Sequence, residues 1–220
     1  MLTGDNIKKI KGIIFDLDGV ICHTDKYHYK AWKELADDIG VYFDEEINNR
    51  LRGVSRMESL EIILERAVKV YTHEEKLELA ENKNERYKIF LNEMSPADLS
   101  DEVRVTLDKL RSRGLKLAIG SSSKNAGFIL GRIGLGDYFE AVSDGNNITN
   151  SKPHPEVFIK AAEFIGLNPK ECIVVEDAEA GLIAAKAADM YAVAIGWACG
   201  SSAADLSIEN FSDLLLCINT

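Results

Sequence analysis

Short, unbroken apolar runs recur along this chain, and helical patterns separate them. The clear runs are residues 12–15, 115–120, 172–176 and 192–195, with a weaker one at 141–142. They are rich in Ile, Val, Leu or Ala and are bounded by charge or glycine. Apolarity that does not alternate suits strands covered on both faces, as in parallel sheets. Helical patterns fall at 101–112, 124–133, 155–165 and 179–188. Gly114, Gly134 and Gly166 follow three of them, where a left-handed C-terminal cap belongs. Strand alternating with helix predicts an α/β protein with a Rossmann-like, doubly wound parallel sheet.

The rhythm fails once. From about residue 26 to about residue 95 there is no strand pattern, only amphipathic patterns at 29–39, 44–49, 56–70 and 73–90. Such a stretch is too long for a connection between neighbouring elements. It predicts an all-helical cap domain over 25–94, inserted after the first strand, with Pro96 marking the return. The core is then built from 1–24 and 95–220, with hinges near 22–26 and 94–96.

Charge narrows the partners. The 220 residues include 26 basic and 36 acidic ones, for a net charge of -10. An excess of negative charge argues against nucleic acid or an anionic membrane as the main partner, while leaving room for one small phosphate held by local cations. Four scattered cysteines with no CxxC pair suit a reducing, cytoplasmic setting rather than a disulfide framework. The apolar run near the start is short and broken by Asp16 and Asp18, so it reads as a buried strand and not a signal peptide. A charged surface without an unpaired apolar face predicts a monomer.

The chemistry concentrates at the ends of the runs. Ile13-Ile14-Phe15-Asp16-Leu17-Asp18-Gly19 sets two carboxylates directly after a buried strand, and ligands of open parallel sheets bind beyond those ends. Asp18-Gly19 alone is also an ordinary turn pair. Ile173-Val174-Val175-Glu176-Asp177 repeats the arrangement, although by themselves its acids could equally cap the following helix. If the two strands are neighbours, the acids share one crevice, and such a cluster calls for a hard divalent cation such as Mg2+. Gly120-Ser121-Ser122-Ser123-Lys124-Asn125 ends a strand in hydroxyls and a lysine at a helix start, which makes either an anion site or a solvated N-cap. Lys152, in Ser151-Lys152-Pro153-His154-Pro155, gains meaning only beside the others.

FDLDGV, GSSSKN, SKPHP and VVEDAEAG occur here in an order and spacing that resemble the haloacid-dehalogenase-like phosphotransferases, over nearly the whole chain. The cap resembles that of the sugar-phosphate mutases among them. The stretches that carry this likeness are Thr24-Asp25-Lys26-Tyr27-His28 with Trp32, Arg52-Gly53-Val54-Ser55-Arg56 with Ser59, Lys83-Asn84 and Ser95-Pro96-Ala97-Asp98.

The resemblance implies a phosphosugar substrate and an aspartyl phosphate on Asp16, with Asp18 as general acid and base. It implies Mg2+ bound by Asp16, the backbone carbonyl of Asp18, Glu176 and Asp177. Ser121 and Lys152 would hold the transferring phosphoryl group. Arg56, Ser123, Lys124 and Asn125 would hold the second phosphate. Thr24, His28, Trp32, Arg52, Gly53, Val54, Ser55, Ser59 and Lys83 would line the sugar side, with Trp32 equally suited to cap packing. His28 and Lys83 would reach Asp18 when the cap closes. A sugar-phosphate phosphatase on the same core, and a non-catalytic phosphosugar sensor, are the competing readings; the intact acidic set argues against the sensor.

Overall fold

The computed structural model describes residues 10–218. Its sheet is wholly parallel, with six strands among the described residues in the order β3-β2-β1-β4-β5-β6. They are β1 (Gly12–Phe15), β2 (Lys116–Gly120), β3 (Ala141–Ser143), β4 (Cys172–Glu176), β5 (Tyr191–Ala194) and β6 (Leu206–Ser207). The absence of alternation is explained by burial on both faces. Ile13, Phe15, Leu117, Ile119, Ile173 and Val175 point into one apolar cluster. Ile14, Ala118, Val174, Ala192 and Ala194 point into another. Consecutive strand residues thus serve opposite layers, and both layers are lined by apolar side chains.

Before β2 the chain runs through α1 (Asp25–Asp38), α2 (Glu45–Asn49), α3 (Arg56–Leu64), α4 (His73–Leu91) and α5 (Asp101–Ser112). The first four of these helices form the cap. After β2 come α6 (Ala126–Arg132), α7 (Glu156–Phe164), α8 (Glu179–Ala187) and the short α9 (Leu214–Cys217). The pattern at 56–70 is shorter as a helix than the sequence suggests. Val68 and Val70 are fully exposed, so they supply no apolar face to continue α3. Thr72 then adopts an extended conformation and starts α4 through a reciprocal capping box with Glu75. β6 escapes sequence reading because it is only two residues long.

The cap has its own apolar cluster, which includes Trp32, Leu35, Phe43, Ile47, Leu60 and Ile63. The inner turns of its long helices belong instead to the core: Tyr27 and Ala31 of α1 and Tyr87 and Leu91 of α4 pack in the same cluster as Phe15 and Leu17. The returning hinge is held by Arg132 of α6. Its Nε and Nη2 donate to the Met94 carbonyl at 2.9 and 2.5 Å, and Nη2 also donates to the Asn92 carbonyl at 2.6 Å.

Candidate active site

Strand order reverses between β1 and β4, since β2 and β3 follow on one side of β1 and β4 to β6 lie on the other. That reversal opens a crevice beyond the strand ends. Phe15 pairs with Val175, and the Asp16 amide donates to the Val175 carbonyl at 2.9 Å. Asp16 therefore leaves its strand beside Glu176 and Asp177. Carboxylate oxygens of the three lie within 4.8 Å of one another, and all three residues are buried.

Lys152 comes from the loop before α7 and enters this cluster nearly completely buried. Its Nζ donates to Asp16 Oδ1 at 2.5 Å and to Glu176 Oε2 at 2.8 Å. Burial works against the ammonium, but the facing charges of Asp16 and Glu176 outweigh it and hold its pKa above the ordinary value. One cation does not balance three acids. Burial, and then the charge of Asp16, push the Glu176 carboxyl up to about 7. Burial and Glu176 push Asp177 up to about 8. An oxygen-only donor set under this electrostatic load fits a hard divalent cation.

Two glycines make the approach possible. Gly19 has φ of 84°, and a Cβ there would fall 2.1 Å from Asp177 Oδ2. At Gly181 in α8 a Cβ would fall 2.0 Å from Glu176 Oε2. Gly181→Ala is expected to displace the Glu176 carboxylate, costing about 1–3 kcal/mol of stability and weakening divalent-cation binding in calorimetry. Unchanged metal affinity would contradict the assigned packing.

The acids also set a pH dependence. The Asp18 carboxyl is pushed up to about 7 by burial and then by Asp25. Asp18, Glu176 and Asp177 thus have folded pKa values above their unfolded ones near 4. Between about pH 4 and 8 the folded chain binds more protons through these groups, so their contribution to stability falls as pH rises through that window. Metal-free protein is expected to lose melting temperature from pH 5.5 to 8, with a flatter profile in Asp177→Asn. Added Mg2+ should raise the midpoint more at pH 8 than at pH 6. An equal metal-induced shift at both values would sink this assignment.

Asp18 faces the cap. Its Oδ1 accepts from the Thr24 amide at 2.8 Å, and its Oδ2 lies 3.8 Å from His28 Nε2. His28 Nδ1 is 2.8 Å from Lys83 Nζ. Lys83 is 2% exposed and lies 4.6 Å from the Trp32 ring and 4.5 Å from the Tyr87 ring. Burial, followed by Arg56, pulls its pKa well down; burial, Lys83 and Arg56 do the same to His28. Asp18, His28 and Lys83 therefore form a chain of polar groups from core to cap in which burial disfavours the charged form of each.

A cleft of about 420 Å³ gathers most of the residues singled out from the sequence. The core supplies Asp16, Asp18, Ser121, Lys152, Glu176 and Asp177, together with Ser123, Lys124 and Asn125. The cap supplies His28, Trp32, Ser59 and Lys83, and the loop Arg52, Gly53, Val54, Ser55 and Arg56. Trp32 both lines the cleft and packs in the cap core. Ser55 is committed locally, since its hydroxyl accepts from the Glu58 amide as the cap of α3. Thr24 is the exception. It is fully buried behind Asp18, its hydroxyl accepts from Tyr87 at 3.0 Å, and it does not line the cleft. Its place is to orient Asp18, which corrects its assignment to the sugar side.

Sequence reading passed over Tyr87 and the pairing of Asn84. Tyr87 sits one helical turn beyond Lys83, a spacing that could have revealed it. Asn125 Nδ2 donates to Asn84 Oδ1 at 2.9 Å, a buried bond from core to cap. Forty-one residues separate the pair, and nothing local signals it.

Fold and site together define a capped α/β protein with a carboxylate cluster at the switch point of its sheet. The profile of the haloacid dehalogenase-like hydrolases matches residues 10–189, and the chain belongs to that family. It is 42% identical to beta-phosphoglucomutase of Bacillus subtilis (strain 168) over 209 residues, covering 94% of this chain and 92% of that one. It is 32% identical to the fructose-1-phosphate phosphatase YqaB of Escherichia coli (strain K12), covering 84% and 96%. The crystal structure of beta-phosphoglucomutase from Clostridium difficile superposes with a TM-score of 0.87 at 39% identity, covering 93% of each chain. Among the described residues no helix is long and apolar enough to cross a membrane.

Proposed function

We propose that this chain interconverts β-D-glucose 1-phosphate and β-D-glucose 6-phosphate through an aspartyl phosphate on Asp16 and a β-glucose 1,6-bisphosphate intermediate. The observation that carries the proposal is the juxtaposition of two groups in one cleft. Asp16, paired with Lys152 and set among the acids, lines the cleft, and Arg56, Lys124 and Asn125 line the same cavity. A mutase needs both, since one phosphate reacts while the other is held. The likeness to beta-phosphoglucomutases over nearly the whole chain supports the same reading.

Asp16, Glu176, Asp177 and the backbone carbonyl of Asp18 would hold Mg2+, which would polarise the phosphoryl oxygens and offset their charge. The protein's own residues do the rest. With Asp16 phosphorylated, Asp18 takes the proton of the 6-hydroxyl of β-glucose 1-phosphate as that oxygen bonds to phosphorus and the bond from phosphorus to the Asp16 carboxylate breaks, which gives the 1,6-bisphosphate. The bisphosphate turns round, and an Asp16 oxygen bonds to the phosphorus on the 1-oxygen as the bond from that phosphorus to the sugar breaks. Asp18 gives the leaving oxygen its proton, so that glucose 6-phosphate is released and the aspartyl phosphate restored. Lys152 offsets charge on the transferring group, which is most of what phosphoryl transfer asks of a protein. The Arg56 fork suits the standing phosphate. Its present partner, Glu81, lies 3.2 Å away on an exposed side chain and is exchangeable.

Whether water or a sugar hydroxyl receives the phosphoryl group separates this reading from a phosphatase. The Asn125–Asn84 bond ties core to cap across the cleft, and closure of that kind favours the hydroxyl by limiting access of water. The test is a coupled assay with β-glucose 1-phosphate, Mg2+ and a trace of the bisphosphate. Glucose 6-phosphate should greatly exceed free phosphate. Steady phosphate release without isomer would establish the phosphatase instead.

A further inference from the structure

A second cavity, of about 530 Å³, lies along the seam between cap and core and shares Arg52 and Asp177 with the active-site cleft. One of its walls is Trp197, in the segment after β5. This side chain is 74% exposed, whereas the chain's other tryptophan, Trp32, is buried in the cap. The guanidinium carbon of Arg52 lies 5.1 Å from the centre of the Trp197 ring, and Arg52 Nη1 lies 2.8 Å from Asp25 Oδ2 at the start of α1. A single cap side chain is thus held between a core ring and a hinge acid. The next residue, Gly53, has φ of 73° and packs so closely on the core that a Cβ would fall 2.8 Å from Ala178 Cβ.

We propose that Trp197 is a positioning residue that grips Arg52 and keeps the 52–56 loop down over the cleft, shielding the Asp16 phosphate from water. This rests on the mutase reading, because that reaction needs both closure against water and reopening for the intermediate to turn. A contact of this kind has a suitable size. An exposed cation–π pair shifts an open–closed ratio by about two- to fivefold, which biases closure without preventing opening.

The test compares wild type, Trp197→Ala and Trp197→Phe, each supplied with β-glucose 1-phosphate, Mg2+ and trace bisphosphate. In Trp197→Ala the ratio of free phosphate to glucose 6-phosphate should rise about two- to fivefold, and KM should rise more than kcat falls. Trp197→Phe keeps a ring and should stay within about twofold of wild type. Amide hydrogen exchange of residues 51–57, measured without substrate, should quicken in Trp197→Ala alone. A Trp197→Ala protein matching wild type in both product ratio and loop exchange would overturn the proposal. A wild-type protein that makes phosphate but no isomer would defeat the mutase reading instead, and the clasp would then stand or fall on the loop exchange.

Discussion

Replacing Asp16 with asparagine is expected to lower turnover by about 10⁴-fold or more, because an amide cannot form the acyl phosphate on which the reaction runs. The substitution keeps the shape of the side chain and leaves Lys152 paired with Glu176 at 2.8 Å. The protein should therefore still fold and melt cooperatively, which separates lost chemistry from lost structure. Turnover within tenfold of wild type would remove Asp16 as nucleophile.

The second large effect is expected at Lys152, which is the counter-charge for Asp16 and Glu176 in a site where both acids are buried. Lys152→Met leaves those carboxylates facing each other with no cation. Breaking a buried pair from one side costs about 3–5 kcal/mol, and the metal-free variant should show that deficit at pH 8 in urea unfolding. Glu176 is already pushed up to about 7 with the lysine in place. Without it the folded state should take up protons more readily still, so the deficit should shrink towards pH 5.5. Activity should fall about 10²–10³-fold, the usual loss when one group that stabilises transition-state charge is removed. A stability deficit of the same size at both pH values would show that the lysine acts by packing and not by charge.

The sheet was legible because burial on both faces keeps the middle of its central strands apolar, so Ile13-Ile14-Phe15 and Ile173-Val174-Val175 stand out as unbroken runs. The acids that follow them were legible for the same reason, since a carboxylate directly after a buried strand has few ordinary explanations. The inserted helices could be read from the failure of that rhythm. Individual side-chain pairings could not. Lys152 lies 136 residues from Asp16, and nothing around Ser151-Lys152-Pro153 shows that it pairs with that acid. Its role came from the resemblance alone. Thr24 sits beside the site in sequence yet turns away from it, because Tyr87 claims its hydroxyl. Trp197 gave no signal, since its significance depends on Arg52 arriving from a different domain.

The proposed reaction depends on Asp16 accepting a phosphoryl group between the two acidic strand ends. The direct measurement is mass spectrometry of acid-quenched protein after brief exposure to β-glucose 1,6-bisphosphate and Mg2+. One added phosphoryl group should appear, localised to the peptide containing Asp16 and absent from Asp16→Asn. A protein that turns over while carrying no phosphoryl group, or carrying it on another residue, would contradict the account.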